Sequence, residues 1–212
     1  MHRHLNFINM EQLEATQEAL SMYVDECAML CDKAEAILRE QEDPSAITPM
    51  AREVLRYVQH LVQFEHLLPE AYAKADRMAD CVYDRPRLKL DLLRVKLEAV
   101  TYAESIEGHA FEITEEIREE VNRLAANIQA ADEGRWADIR TESMLKRDTI
   151  EWSKQYEACI DEAEHEAYGH LTDIPRGMGF CFAIWAEKRK ALAKRGIEWR
   201  SPNQMNPGVM FD

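Results

Sequence analysis

No glycine precedes Gly108 in this chain of 212 residues, and that gap limits what the first half can fold into. Tight turns and strand bulges often require glycine, whereas Ala, Leu, Glu, Met and Arg, which are frequent here, favour helices. Apolar residues also recur at spacings of three and four along most of the chain. The sequence therefore predicts an all-α protein, an antiparallel bundle of five to six helices.

Helix boundaries are predicted from prolines and from polar residues that cap helices. Thr48 followed by Pro49 is typical of an N-cap and a first helical residue, and Pro69 should kink or end the helix that they begin. Asp84 and Pro86 predict another helix start in the same way. The expected long helices span residues 10–42, 48–68, 86–107, 114–131, 134–171 and 178–195.

The helix that begins at Pro86 is apolar on two sides. Leu90, Leu93 and Leu97 follow one stripe, and Leu88 and Leu92 belong to a second stripe. A helix with two apolar stripes lies either at the centre of its fold or in an interface between molecules.

The stretch 134–171 has the pattern of a single long helix whose apolar face ends in polar residues. At 100° per residue, Tyr156, Cys159 and Ala163 share a face that continues to Glu166 and His170, and Glu162 lies close beside it. Acids at the end of an apolar face are either the wet end of a bundle or one half of a polar pocket. If these acids form one half of a polar pocket, this stretch is a candidate functional site.

Up-and-down topology predicts which residues lie near that site. If consecutive helices alternate in direction, the end of the helix that starts at Pro86 meets the end of the stretch 134–171, whereas Glu65 lies towards the other end. A divalent metal is the one cofactor this arrangement suggests. The candidate ligands are Glu104, Glu162, Glu166 and His170, with Glu107 and His109 as outer members.

Known metal motifs are incomplete in this sequence. His165 and His170 stand five residues apart, one more than in the HExxH motif of zinc proteases, so they cannot face one metal from an unbroken helix. Glu162 and His165 supply one ExxH pair of the kind found in di-iron bundles, but no second pair occurs. No cofactor is therefore predicted outright, and no phosphate-binding glycine loop is present.

Residues 172–212 are expected to form a second part of the fold, docked on residues 1–171. Pro175 and Gly177 mark a loop, and the following helix should present Ile184 to the core and Lys188 to solvent. The tail after Gly196 is rich in apolar residues, so it should pack back on the bundle. The two parts are expected to form one globular unit.

Charge and cysteine usage limit the partners and the compartment. The net charge of -14 opposes direct binding to nucleic acid or to an anionic membrane surface. Five cysteines without a CxxC pair, and the absence of any long apolar run, are typical of a reduced, cytoplasmic protein.

These observations favour a non-catalytic interaction or regulatory protein that binds a protein partner or associates with itself. The alternative is a metal-binding protein or enzyme that uses the carboxylate and histidine cluster. A third hypothesis is an acidic mimic of nucleic acid that occupies a basic partner.

Overall fold

The computed structural model describes residues 10–141 and 145–211, with side chains described from residue 16 onward. These residues form eight α-helices and no strand, which confirms the prediction of an all-α fold. The helices are α1 (Met10–Arg39), α2 (Ile47–Leu61), α3 (Leu68–Cys81), α4 (Pro86–Glu107), α5 (Glu112–Asp132), α6 (Lys154–Gly169), α7 (Phe180–Lys194) and α8 (Pro202–Met205).

The helices α1 to α5 pack around one apolar core. The helix α1 packs on α2 and α3, α3 packs most extensively on α4, and α4 packs on α5. Val54, Met78 and Leu92 are fully buried at the centre of this core. The ring of Tyr23 stacks on that of Tyr57 with centroids 4.6 Å apart, which fixes α1 against α2.

Two helix starts and one helix cap differ from the prediction. The helix α2 begins at Ile47, and Thr48 is buried within its first turn instead of capping it. Pro69 lies in the first turn of α3 and so begins a helix instead of ending one. Asp84 lies two residues before α4, and Arg85 occupies the N-cap position of this helix. Thr48 and Asp84 make tertiary contacts that local patterns do not reveal.

The prediction of one long helix over residues 134–171 is wrong. Within residues 134–141 and 145–153, Trp136–Asp138 and Thr149–Trp152 form short 3-10 helices between turns and irregular backbone, and α6 begins only at Lys154. Asn127 exchanges two hydrogen bonds with the backbone of Arg140, at 2.6 and 2.9 Å, and holds this segment against α5. The hydroxyl of Ser153 accepts a hydrogen bond from the backbone N–H of Tyr156 at 3.1 Å and caps α6.

The helices α6 and α7 form an antiparallel pair with an apolar core of their own. Tyr156, Ile160 and Leu192 are fully buried there, together with Ile197 and Trp199 of the tail. The tail therefore packs back on the fold, as the sequence predicts. Further along, the indole of Trp185 packs edge-on against Phe211, although Met210 is exposed.

The tail is also fixed by polar contacts to the segment before α6. Asn206 accepts a hydrogen bond from the backbone N–H of Lys146 at 2.7 Å and donates to its carbonyl at 2.8 Å. The backbone N–H of Arg200 donates to Asp148 at 2.7 Å. The predicted division of the chain at residue 171 stays a prediction. Within residues 10–141 and 145–211, no helix is both long and apolar enough to cross a membrane.

Candidate functional site

Glu104 lies near the end of α4, where its side chain holds the turn to α5. Its carboxylate accepts hydrogen bonds from the hydroxyl of Thr114 at 2.6 Å and from the backbone N–H of Phe111 at 2.7 Å. These two bonds hold the pKa of Glu104 below its ordinary value. Phe111 is the N-cap residue of α5, and Thr114 lies in the first turn of that helix.

The predicted ligands on α6 make their contacts with α7. Glu166 accepts hydrogen bonds from Lys194 and, at 2.9 Å, from Arg195. These two bonds lower the pKa of Glu166 to about 2. Glu162 is exposed, and its carboxylate lies 3.7 Å from the guanidinium of Arg195.

The remaining candidates lie at the surface. The ring of His170 is 3.1 Å from the carboxylate of Glu187. Glu107, the last residue of α4, and His109, which follows the helix, are both exposed. In the part of the chain that the structure describes, no group of three or more His, Cys, Asp or Glu is arranged to hold a metal ion. The contacts of Glu104 are thus with α5 and those of the other three ligands with α7. Metal binding by this set stays a prediction.

The densest group of buried charges lies instead where the turn before α4 meets α2 and α6. Arg85 is 2% exposed and is at the centre of this group. Its guanidinium donates to the carboxylate of Asp84, to Asp161 at 2.7 Å and to Glu164 at 2.5 Å. Its Nε also donates to the hydroxyl of Thr48 at 2.8 Å. One buried side chain therefore links three segments of the fold.

Lys188 of α7 closes this group into a ring. Its ammonium donates to Glu164 at 2.6 Å and lies 3.7 Å from Asp84. Acid and base alternate around the four side chains Asp84, Arg85, Glu164 and Lys188, which we call the charge ring. The prediction that Lys188 faces solvent is wrong, since this residue is 8% exposed.

Burial opposes ionisation in the charge ring, and neighbouring charges decide the outcome. Arg85 and Lys188 outweigh burial at Asp84 and hold its pKa below the ordinary value. At Lys188 burial is likewise outweighed, chiefly by Glu164, so the pKa of the ammonium is raised. At Glu164 burial is the larger effect and raises the pKa. Of the two acids in the charge ring, Glu164 is therefore the one that becomes protonated at the higher pH.

The sequence does contain a signal for the charge ring, but the buried face predicted for this helix does not include Glu164, which carries that signal. The buried face of α6 runs through Tyr156, Ile160 and Ala163 to Ala167, and Glu164 lies on it. Choosing Cys159 in place of Ile160 turns the predicted face towards Glu166. On the face that is actually buried, Glu164 is 3% exposed and lies among apolar residues.

A pocket of ≈ 250 Å³ adjoins the charge ring, and we call it the Tyr156 pocket. Asp84 and Lys188 line it from the ring, and Glu151 lines it from the segment before α6. Glu151 accepts a hydrogen bond from the indole of Trp199 at 2.7 Å and one from Arg147 at 2.9 Å. The tail and the segment 145–151 thus build one wall of this pocket together.

The hydroxyl of Tyr156 is buried without a hydrogen-bond partner among the residues described. The side chain is fully buried and lines the pocket. Burial raises the pKa of Tyr156 well above its ordinary value, against the opposing effect of Lys188. The group is therefore a neutral hydroxyl that can both donate and accept a hydrogen bond.

Comparison with family models, with curated proteins and with solved structures finds no match to this chain. The fold and the site define a class only: an all-α protein in which a buried ring of charges joins a helix pair to a bundle.

Proposed function

We propose that this chain is a non-catalytic interaction or regulatory protein that binds a helix of a partner protein in an apolar groove between α3 and α4. The observation that carries the proposal is the composition of this groove. It has a volume of ≈ 310 Å³. Seven of its nine lining residues are apolar or aromatic: Leu68, Pro69, Tyr72, Ala99, Val100, Ala103 and Ile106.

Two large side chains in the second half of α4 remain exposed to solvent. Ile106, which lines the groove, is 43% exposed, and Tyr102 on the same helix is 38% exposed. Grouped apolar side chains on a surface are typical of a site where another molecule binds. The two apolar stripes of this helix thus support an interface at its second half.

The charge of the groove indicates what kind of helix fits. Glu65 and Glu107 are its two acidic lining residues, both are exposed, and neither pairs with a cation in the described ranges. A helix with apolar residues at spacings of three and four and with Lys or Arg near its ends would fill the groove and meet both acids. Repulsion from the net charge of -14 disfavours nucleic acid and anionic membranes as partners.

The same proposal includes a cytoplasmic location. Cys27, Cys31 and Cys81 are buried free thiols, and burial raises the pKa of Cys27 to about 12. Buried thiols of this kind pack as small apolar groups, which suits a reducing compartment.

A designed peptide tests this function directly. One synthetic amphipathic peptide carries leucines on one helical face and lysines near both ends, and a second carries glutamates in place of the lysines. We expect fluorescence anisotropy to detect binding of the lysine peptide and at least about tenfold weaker binding of the glutamate peptide, because rim charges select the partner. Equal binding of both peptides would contradict the proposal.

The variant Ile106→Glu locates the binding surface. It places a charge in the groove at an exposed position, so we expect at least about tenfold weaker binding of the lysine peptide with little loss of stability. The matched control is Ile113→Glu, since Ile113 is 39% exposed on α5 and does not line the groove. If the wild-type chain forms a dimer that Ile106→Glu dissociates in ultracentrifugation, the occupant is a second copy and the partner-helix proposal is wrong.

A further inference from the structure

The side of α7 that faces away from its core carries aromatic residues. The buried side of this helix centres on Ile184, and at 100° per residue Phe182 and Arg189 both lie on the far side, with Trp185 at its edge. Phe182 is 44% exposed, and Trp185 is half-buried. Apolar side chains grouped in contact with solvent are typical of a site where another molecule binds.

The end of the tail extends this aromatic side of α7. The ring of Phe182 packs edge-on against the indole of Trp185 with centroids 5.5 Å apart, and Trp185 packs in the same way on Phe211 at 5.1 Å. Val209 and Met210, which precede Phe211, are 45% and 95% exposed. Residues of α7 and of the tail thus form one continuous apolar surface.

Two cations lie beside the indole at the centre of this surface. Arg189 follows Trp185 by one helical turn, and Lys146 lines a pocket together with Trp185. Both cations are exposed, and neither forms an ion pair with any residue that the structure describes. The other solvent-facing lysines of α7, Lys190 and Lys194, each pair with a glutamate. We call the following set the α7 surface: Lys146, Phe182, Trp185, Arg189, Val209, Met210 and Phe211.

The charge of the α7 surface indicates what kind of partner fits. None of its residues is acidic, so two copies of the surface would bring like charges together without a counter-charge. An anionic membrane or a nucleic acid would be repelled by the net charge of -14 on the whole chain. A short acidic segment escapes most of that repulsion, because it contacts only the part of the molecule where the unpaired charges are positive.

We propose that the α7 surface binds a short acidic segment of a partner protein. Apolar side chains of that segment pack on Phe182 and Trp185, and its carboxylates pair with Lys146 and Arg189. A tryptophan flanked by exposed cations is the arrangement that most often supplies the binding energy of such contacts. The α3–α4 groove is acidic and lies in the bundle, so it selects a partner of the opposite charge, and neither proposal depends on the other.

The indole of Trp185 provides a probe for this test in the full-length chain. One synthetic peptide carries two phenylalanines among aspartates, and a second carries lysines in place of the aspartates. We expect the aspartate peptide to shift the indole N–H signal of Trp185 in a saturable manner in NMR, and the lysine peptide to bind there at least about tenfold more weakly. The indole of Trp136, which is 41% exposed in the segment after α5, should not respond. No saturable shift at Trp185, or an equal shift at Trp136, would overturn the proposal.

The variant Arg189→Glu separates local pairing from overall charge. It reverses one exposed charge on the α7 surface, so we expect at least about tenfold weaker binding of the aspartate peptide with little loss of stability. The matched control is Arg52→Glu, which changes the net charge by the same amount at an exposed position on α2. The groove variant Ile106→Glu should also leave this binding unchanged. Unchanged binding by Arg189→Glu, or an equal loss in Arg52→Glu, would overturn the proposal.

Two other occupants of the α7 surface are tested directly. If the wild-type chain forms a dimer in ultracentrifugation that Phe182→Ala dissociates, the occupant is a second copy and the proposal is wrong. If the chain sediments with vesicles that contain phosphatidylserine, and Arg189→Glu abolishes this, the surface binds lipid and the proposal is likewise wrong. We expect a chain that neither dimerises through Phe182 nor sediments with these vesicles.

Discussion

Lys188 occupies a position on α7 that the apolar pattern would give to a leucine. It lies four residues after Ile184 and four before Leu192, and both neighbours are buried. Because Glu164 and Asp84 surround its ammonium, the lysine remains charged inside the fold. The buried pairs specify how α7 meets α6 and the turn before α4, since no other orientation would leave these charges paired.

We predict that Lys188→Met strongly destabilises the fold. Methionine fills a similar volume, but it leaves Asp84 and Glu164 to share Arg85, which also pairs with Asp161, and breaking a buried pair costs about 3–5 kcal/mol. Urea denaturation measures the free energy of unfolding. The control Lys190→Met changes a lysine at the surface, paired only with Glu187, and should cost less than about 1 kcal/mol. Equal effects of the two variants would show that the charge ring does not hold the fold.

Glu166 gives a prediction about pH. Its pKa falls from the ordinary value of 4.5 to about 2 in the fold. A carboxyl group with a lowered pKa stabilises the fold above its unfolded pKa, and that contribution is lost as the pH falls towards the folded pKa. We therefore expect Glu166→Gln to be less stable than the wild type at neutral pH, with the difference shrinking between pH 4.5 and about 2. Thermal melts across this range measure it, and a difference independent of pH would contradict the assignment.

At the scale of single elements, two glycines on helix ends should respond in opposite directions to the same change. Gly108 ends α4 with φ of +75°, which is strained for alanine, although nothing lies within 4 Å of an added Cβ. Gly169 is the last residue of α6 without a positive φ, and it also has open space. We expect Gly108→Ala to cost about 1 kcal/mol or more and Gly169→Ala to add up to about 1 kcal/mol. Thermal melts that give both changes the same sign would contradict these helix ends.

The sequence predicts a helix well where the spacing of apolar residues alone determines it. It predicts a segment poorly where tertiary contacts determine the backbone conformation. The spacing of leucines and the proline at its start predict α4, Pro86–Glu107, without error. The prediction of a helix from residue 134 fails because Asn127 and Asp148 hold parts of this segment through tertiary hydrogen bonds, and because Ser153 caps α6 only at Lys154. The spacing of apolar residues carries no information about side-chain caps or long-range hydrogen bonds.

The charge ring was not predicted from the sequence. The acids at the ends of apolar faces predict either a polar pocket or the wet end of a bundle, and the structure buries a different acid on α6. The buried acid is Glu164 and not Glu166. The predicted face contains Cys159 where the buried face contains Ile160, and this difference turns the predicted face around the helix axis. Thr48 and Asp84 were assigned to helix caps, the local role that their residue types favour, although both belong to the network around Arg85.

At the scale of the whole molecule, the charge ring joins the bundle to the helix pair. The α3–α4 groove belongs to the bundle, whereas the Tyr156 pocket lies at the junction with α6, α7 and the tail.

The central claim is that the α3–α4 groove takes a helix with basic ends, and a methyl NMR titration with the lysine peptide tests it most directly. We predict saturable shifts of the methyl signals of Leu68, Val100 and Ile106, which line the groove. The signals of Ile113 on α5 and of Ile160 in the core of the helix pair should stay in place. Shifts confined to residues outside the groove, or no saturable shift at Leu68, Val100 and Ile106, would contradict the account.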